Sequence, residues 1–459
     1  MTAASDRMPR ACHRDKPLSK AKPMEREEAR PAVFGASGAL RGTARLPGDK
    51  SISHRALICA AMARGRSRID GLSEGHDVGA TARALRAMGV RIEPDGNAWT
   101  VDGVGAGALL QPEGALELGN SGTSARLLAG LVASHPIAAA FTGDSSLSRR
   151  PMSRVAEPLR RIGAELGLAP GGRLPLTVRG LCPAVASAHR MELPSAQVKS
   201  ALLLAALNIP GLTRIVEPVP TRDHSERMLK LFGADISADG GEIAIRGEPE
   251  LRPRALAIAR DTSAAAFLAV AALLVPGSEL RLEGVGMNPT RTGLFDLLRE
   301  MGGELAVSNP RESGGEPVAD LLVRHSPLRG IDVPPAIAPR MIDEFPIFFI
   351  AAAFAQGRTR TRGLGELRFK ESDRLAAMAR GLRAIGARVG EEGDGLALAG
   401  TGGEPLPGGA AIDPRLDHRV AMSFAVAGLH ASQPVTVAGM SCADTSFPGF
   451  AALLRELAR

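Results

Sequence analysis

One pattern recurs six times along this chain of 459 residues: a short polar cluster opens an Ala/Leu-rich apolar stretch of helical length. The openings are Asp49-Lys50-Ser51, Asn120-Ser121-Gly122-Thr123, Ser195-Ala196-Gln197, Asp261-Thr262-Ser263, Asp343-Glu344 and Asp417-His418-Arg419. They are spaced by 71, 75, 66, 82 and 74 residues. After most of them comes a Gly or Pro break, a β-like run such as Ser67–Gly71, and a second helix. Five of these second helices end on a glycine (Gly89, Gly163, Gly233, Gly302, Gly386), a residue suited to the left-handed position that closes a helix. A polar strand pair follows, as in Ala234–Arg246.

A period near 70 exceeds the ~20–50 residues of solenoid repeats. Each copy is therefore read as a βαβαββ unit able to pack two helices under a small sheet, and six units divide into two lobes of three. The stretch Ala32–Leu46 precedes the first full unit and is expected to lend a strand to the C-terminal lobe. The expected lobes are 48–259, and 31–47 joined to 260–459, with crossings near Pro47 and Arg260. Residues 1–30, rich in Pro, Arg, Lys and Ala, read as a disordered extension.

Composition narrows the function. At 44% hydrophobic and 23% charged, most of the chain cannot be intrinsically disordered. Tyr is absent and Trp occurs once, so stacking platforms for single-stranded nucleic acid are hard to assemble. Of the net charge of +7, +3 falls in residues 1–30. The remaining +4 suits small anions better than a nucleic-acid track. Four separated cysteines without CxxC spacing imply a reduced, cytoplasmic setting. No apolar run reaches membrane-spanning length.

Asp, Ser, Thr and Asn at the openings are good N-caps, and capping accounts for Asp261-Thr262-Ser263. It does not account for Lys50, Arg55, Arg126, Lys199 and Arg419, since cations near a helix N-terminus oppose its dipole by ~0.3–1 kcal/mol. Anionic ligands supply a reason, because helix N-termini offer unpaired N–H groups to phosphate and carboxylate. Three further segments stand out. Gly143–Pro151 ends in the pair Arg149-Arg150, either a solvated surface or an anion clamp. Thr221–Glu226 is compatible with ordinary capping. Leu367–Arg374 alternates charges, as an exposed helix start would, and sets Lys370 beside Glu371, which suits proton transfer. The glycines at 103, 105 and 107 are read as a polar turn. Walker A, HExxH, EF-hand and Gly-x-Ser-x-Gly patterns are absent, so no metal or cofactor is implied.

With LPGDKSISHRAL (Leu46–Leu57), LGNSGTSAR (Leu118–Arg126) and LRFKESDRL (Leu367–Leu375) assembled, the chain resembles the 5-enolpyruvylshikimate-3-phosphate synthase family from about residue 35 to its C-terminus. RDHSERML (Arg222–Leu229) and MNPTRTG (Met287–Gly293) resemble the family's second class, which includes glyphosate-insensitive enzymes. The resemblance implies the two-lobed enolpyruvyl transferase fold, an inside-out α/β barrel of six βαβαββ units, usually monomeric. It also implies transfer of the enolpyruvyl group of phosphoenolpyruvate to the 5-hydroxyl of 3-phosphoshikimate, with neither metal nor cofactor.

By motif, Lys50 is expected between both substrates, with Ser51, Arg55, Ser195, Ala196, Arg222, Asp343 and Lys370 toward 3-phosphoshikimate. Asn120, Gly122, Arg150, Arg374 and Arg419 are expected around phosphoenolpyruvate, with Gln197 spanning both. Asp343 is the expected base for the 5-hydroxyl and Glu371 the proton donor to the methylene, while Asp417-His418 orient this end of the site. Two departures stand out. First-class members carry a lysine before a late Phe-Pro pair, where this chain reads Cys442–Pro448 without a cation. Insensitive second-class members can carry alanine where Gly122 stands. The related UDP-N-acetylglucosamine enolpyruvyl transferases use a loop cysteine, which Gly143–Arg150 lacks.

Overall fold

The computed structural model describes residues 31–458. The extension expected at 1–30 lies outside the described residues. Thirteen α-helices follow in chain order: α1 Lys50–Met62, α2 His76–Ala87, α3 Gly122–Ala133, α4 Ser153–Arg161, α5 Ala196–Ala206, α6 His224–Phe232, α7 Thr262–Leu274, α8 Gly293–Glu300, α9 Ala338–Met341, α10 Phe345–Phe354, α11 Arg374–Ala384, α12 His418–Gly428 and α13 Phe450–Leu457. Each polar opening stands at the start of α1, α3, α5, α7, α10 or α12. The second helix of each unit is α2, α4, α6, α8, α11 or α13.

The two helix classes differ because their sequences do. Helix α7 (TSAAAFLAVAALL) is apolar all round, and every residue is buried; α10 is the same. A helix with no polar face belongs in a core. The second helices are amphipathic: α4 buries only Val155, Ala156 and Leu159. The five terminating glycines all have positive φ, between 89° and 104°.

Each complete sheet repeats one order: a lead strand, a parallel central strand, then an antiparallel hairpin. In the second unit these are Leu116–Glu117, Ala138–Thr142, Arg173–Arg179 and Glu165–Ala169. Two units borrow their lead strand. Ala255–Ala257, at the end of the third unit, runs parallel to Arg64–Asp70 of the first. Arg41–Ala44 runs parallel to Glu279–Gly286 of the fourth. The segment before the first unit supplies two strands, one more than expected, because Ala32–Phe34 also pairs with Val435–Val437 of the sixth. In that unit it stands where the missing hairpin would.

Two buried apolar clusters result. One spans residues 52–259 with Val318; the other joins residues 34–46 to 264–457. Between them two antiparallel backbone bonds lie side by side, Asp49 N to Ala259 O (2.8 Å) and Asp261 N to Pro47 O (3.0 Å). Gly103, expected in a turn, instead lies within the strand Ala98–Val104. A Cβ there would sit 2.1 Å from the Ala60 carbonyl oxygen near the end of α1. Gly180, Gly247 and Gly400 occupy the matching place in the second, third and fifth units, against the last carbonyls of α3, α5 and α10. Strand and helix can approach so closely only without a side chain between them. In the fourth unit the His325 ring and Ser326 N reach the Leu273 carbonyl instead. No helix among the described residues is long and apolar enough to cross a membrane.

Candidate active site

Five of the six helix openings meet at one cavity of about 820 Å³, counting its open mouth. Lys50 and Ser51 come from α1, Thr123 and Arg126 from α3, Ser195 and Gln197 from the start of α5. Asp343 precedes α10, and His418 and Arg419 begin α12. Arg150, Arg154, Arg222, Glu366, Phe369, Lys370 and Glu371 complete the polar wall. Seven Lys/Arg against three carboxylates make this a cavity for anions, and its size suits small metabolites. The sixth opening lies behind it. Asp261 caps α7 and accepts from the Lys50 backbone N–H at 3.0 Å, fixing where α1 begins.

Asp343 is gripped from three sides. Arg222 Nη2 lies 2.7 Å from Oδ2, while Arg374 Nη1 and Lys370 Nζ lie 3.1 and 3.5 Å from Oδ1. Burial alone would raise its pKa, but Lys370, Arg222, Arg419 and Arg374 hold it well below the usual carboxylate range. Glu371 behaves alike: burial opposes ionisation, and the cations of Arg374, Arg150 and Lys50 overcome it. Arg374 pairs with both carboxylates and is itself anchored by Asp417, which also caps α12. His418 is buried in the wall, its Nε2 lacks a partner, and burial with the Lys50 charge keeps its pKa far below normal. It is a neutral imidazole at pH 7.

The other wall has cations short of counter-charge. Arg126 Nη1 donates to the Gln197 Oε1 at 2.9 Å, and Gln197 Nε2 donates to the Thr123 hydroxyl at 3.0 Å. Burial and the nearby Arg150 pull the Arg126 pKa down to about 10. Arg150 is aimed by Asn120 and by Ser146 Oγ at 3.2 Å; its Nη1 lies 3.5 Å from Glu371, and its buried Nε has no partner. Gly122 leaves room for both guanidiniums: a Cβ would come within 2.7 Å of Arg126 Nη1 and 2.9 Å of Arg150 Nη1.

Of the residues expected from sequence, Lys50, Ser51, Arg150, Ser195, Gln197, Arg222, Asp343, Lys370, Glu371 and Arg419 line the cavity. Arg55, Asn120, Ala196, Gly122 and Arg374 are not among the side chains lining it. Arg55 is bound to Ser225, Ser200 and the Ser51 carbonyl, all within 2.8 Å. Lys199, read as a cation calling for an external anion, is instead neutralised inside the fold by Glu217 and Glu226. The sequence marks no role for Asp77, Arg154 or Phe369, marks Thr123 only as a capping residue, and marks Arg126 only as a cation at an opening. Arg126 follows Gly122 by four residues, one helical turn, which was a usable signal. Asp77, 3.0 Å from Lys50 Nζ, looks in sequence like any acid at a helix start. Arg154 pairs with Glu366 at 2.8 Å and lies 5.5 Å over the Phe369 ring at the cavity mouth, with no local signature.

Paired groups of three units around a cationic cavity define the enolpyruvyl transferase fold. The enolpyruvyl transferase NikO from Streptomyces tendae shares that fold, with a TM-score of 0.73 over 93% of this chain and 97% of that one, at 21% identity. The chain belongs to the EPSP synthase (3-phosphoshikimate 1-carboxyvinyltransferase) family, whose model matches residues 35–454. A 3-phosphoshikimate 1-carboxyvinyltransferase of Sphingopyxis alaskensis is 59% identical, covering 95% of this chain and all of that protein. One from Novosphingobium aromaticivorans is 58% identical over 94% of this chain and all of its own length. The solved EPSP synthase of Acinetobacter baumannii is 43% identical with a TM-score of 0.83, over 93% of this chain and 98% of its own.

Proposed function

We propose that this cavity carries out the family's reaction through the residues expected from sequence. The chain transfers the enolpyruvyl group of phosphoenolpyruvate to the 5-hydroxyl of 3-phosphoshikimate, giving 5-enolpyruvylshikimate 3-phosphate and phosphate. Ser195, the Ala196 backbone, Arg222 and Ser51 hold 3-phosphoshikimate, with Arg55 supporting Ser51 from behind. Arg150, Arg419 and the Asn120–Gly122 turn hold phosphoenolpyruvate, with Arg374 behind them. Lys50 and Gln197 reach both.

Glu371 gives a proton to the methylene carbon, C2 becomes cationic in character, and the 5-hydroxyl attacks it as Asp343 takes the hydroxyl proton. Glu371, left as a carboxylate, then takes a proton back from the methyl group of the tetrahedral intermediate as phosphate departs, restoring the double bond. Both carboxylates are ionised without ligands. A substrate phosphate at Arg222 draws that cation away from Asp343 and makes it a better base; an anion at Arg150 does the same for Glu371 and lets it hold a proton. Substrate binding thus tunes each group toward its task.

The observation that carries this reading is Arg374, bonded at once to Asp343 and Glu371, the two carboxylates facing a cation-rich cavity. The remaining readings are a monomer, a cytoplasmic location, and lobes of 48–259 and of 31–47 with 260–459. Phosphate release on mixing the two substrates, with each omitted in turn, tests the function. Release that needs only one substrate would overturn it.

A further inference from the structure

The motifs Arg222–Leu229 and Met287–Gly293 lie in different units, yet they interlock behind the cavity around one side chain. Arg291 is 2% exposed. Its Nη1 lies 3.4 Å from Asp49 Oδ2 and 3.4 Å from His224 Nε2. Its Nη2 donates to Ser263 Oγ at 2.8 Å and lies 3.6 Å from Glu344 Oε1. Ser263 also bonds Glu344, whose Oε1 is 3.5 Å from Arg419 Nη1. His224 continues the chain to Glu316 at 2.6 Å, and Asn288 ties Glu316 to Asp223.

Two of these partners directly flank cavity residues, and a third is two positions away. Asp49 precedes Lys50, Glu344 follows Asp343, and His224 stands two residues after Arg222. Ser263 lies in the first turn of α7, whose cap Asp261 holds the Lys50 backbone. We propose that Arg291 is the positioning residue that fixes Lys50, Asp343 and Arg222 relative to one another across the two groups of units, an inference that rests on the roles proposed above. Asp49, Glu344 and Asp261 outweigh burial and hold the guanidinium pKa above its ordinary value. The fixed fork of a guanidinium reaches partners on several sides at once, whereas a lysine ammonium presents one point.

Arg291→Lys preserves the charge and removes the fork. Small misplacement of reacting groups costs up to ~10²-fold, while ionic binding of phosphates tolerates it. The expected result is a kcat at least roughly tenfold lower, with both KM values within about threefold and the melting temperature within a few degrees. Ser263→Ala, which removes one contact, is expected to lower kcat about threefold. Because only part of the effect of Arg291 runs through Asp343, either change added to Asp343→Asn should lower the residual rate by a smaller factor than it lowers the parent's. The inference is overturned if folded Arg291→Lys and Ser263→Ala keep kcat within twofold of the parent. Losses that multiply with that of Asp343→Asn also overturn it. Should Arg291→Lys not fold, the Ser263→Ala pair decides alone. Full turnover by Asp343→Asn by itself would instead remove the role proposed for Asp343, and Arg291 would be judged on the single variants.

Discussion

Lys50 Nζ lies 3.0 Å from Asp77 Oδ2, an ion pair in which both side chains are at least 87% buried, joining the first turns of α1 and α2. The cation expected between both substrates is thus aimed before either arrives. Truncating one partner of a buried pair leaves the other uncompensated.

Asp77→Asn should therefore leave Lys50 charged but free to swing. We expect kcat/KM for phosphoenolpyruvate to fall roughly tenfold, the scale of one charge-assisted hydrogen bond. Unchanged kinetics would show that Lys50 finds its place without Asp77.

Glu371→Gln should lower turnover by ~10²–10⁴-fold, the usual weight of a general acid or base. It should also change acid stability, and the sign follows from the depressed folded pKa. An ionised Glu371 stabilises the ligand-free fold at pH values above the ordinary glutamate pKa. That contribution fades as pH falls through the folded value, since the unfolded chain takes up the proton first. Acid unfolding followed by circular dichroism should show a shallower acid limb for Glu371→Gln than for the parent. A normal rate would make the carboxylate structural only, and parallel acid limbs would contradict the depressed pKa.

Gly122 keeps the guanidiniums of Arg126 and Arg150 together, and a methyl group there presses on both side-chain ends. Gly122→Ala should weaken inhibition by glyphosate at least tenfold and raise KM for phosphoenolpyruvate less, since one added carbon against a ligand costs ~1–3 kcal/mol. An inhibition curve identical to that of the parent would remove the link between this glycine and sensitivity.

Gly247→Ala tests the contact of the hairpin with the carbonyls closing α5. Its Cβ would fall 1.6 Å from the Ile209 oxygen, and backbone must move to admit it. A loss of roughly 2–3 kcal/mol in urea titrations is expected, the cost of overpacking. Gly390→Ala, on an exposed strand with nothing within 4 Å of the new carbon, should stay within about 0.5 kcal/mol. Equal stabilities would mean that the strand is free to shift away.

The sequence by itself determined what is local or periodic: six units, the caps Asp49, Ser121, Ser195, Asp261 and Asp417, the terminating glycines, and cations massed at helix starts. Capping and apolar periodicity act within a few residues, so they can be read without coordinates. Pairing across the fold was left to the tertiary structure. Lys199 and Arg419 look alike in sequence, yet one is neutralised internally and the other faces the cavity. Arg374 lies three residues from Glu371, but its contact with Asp343 spans 31 positions and that with Asp417 spans 43. Which acid meets which cation depends on how the units pack, because burial and a few ångströms of separation set the strength of a charge interaction and residue spacing along the chain sets neither.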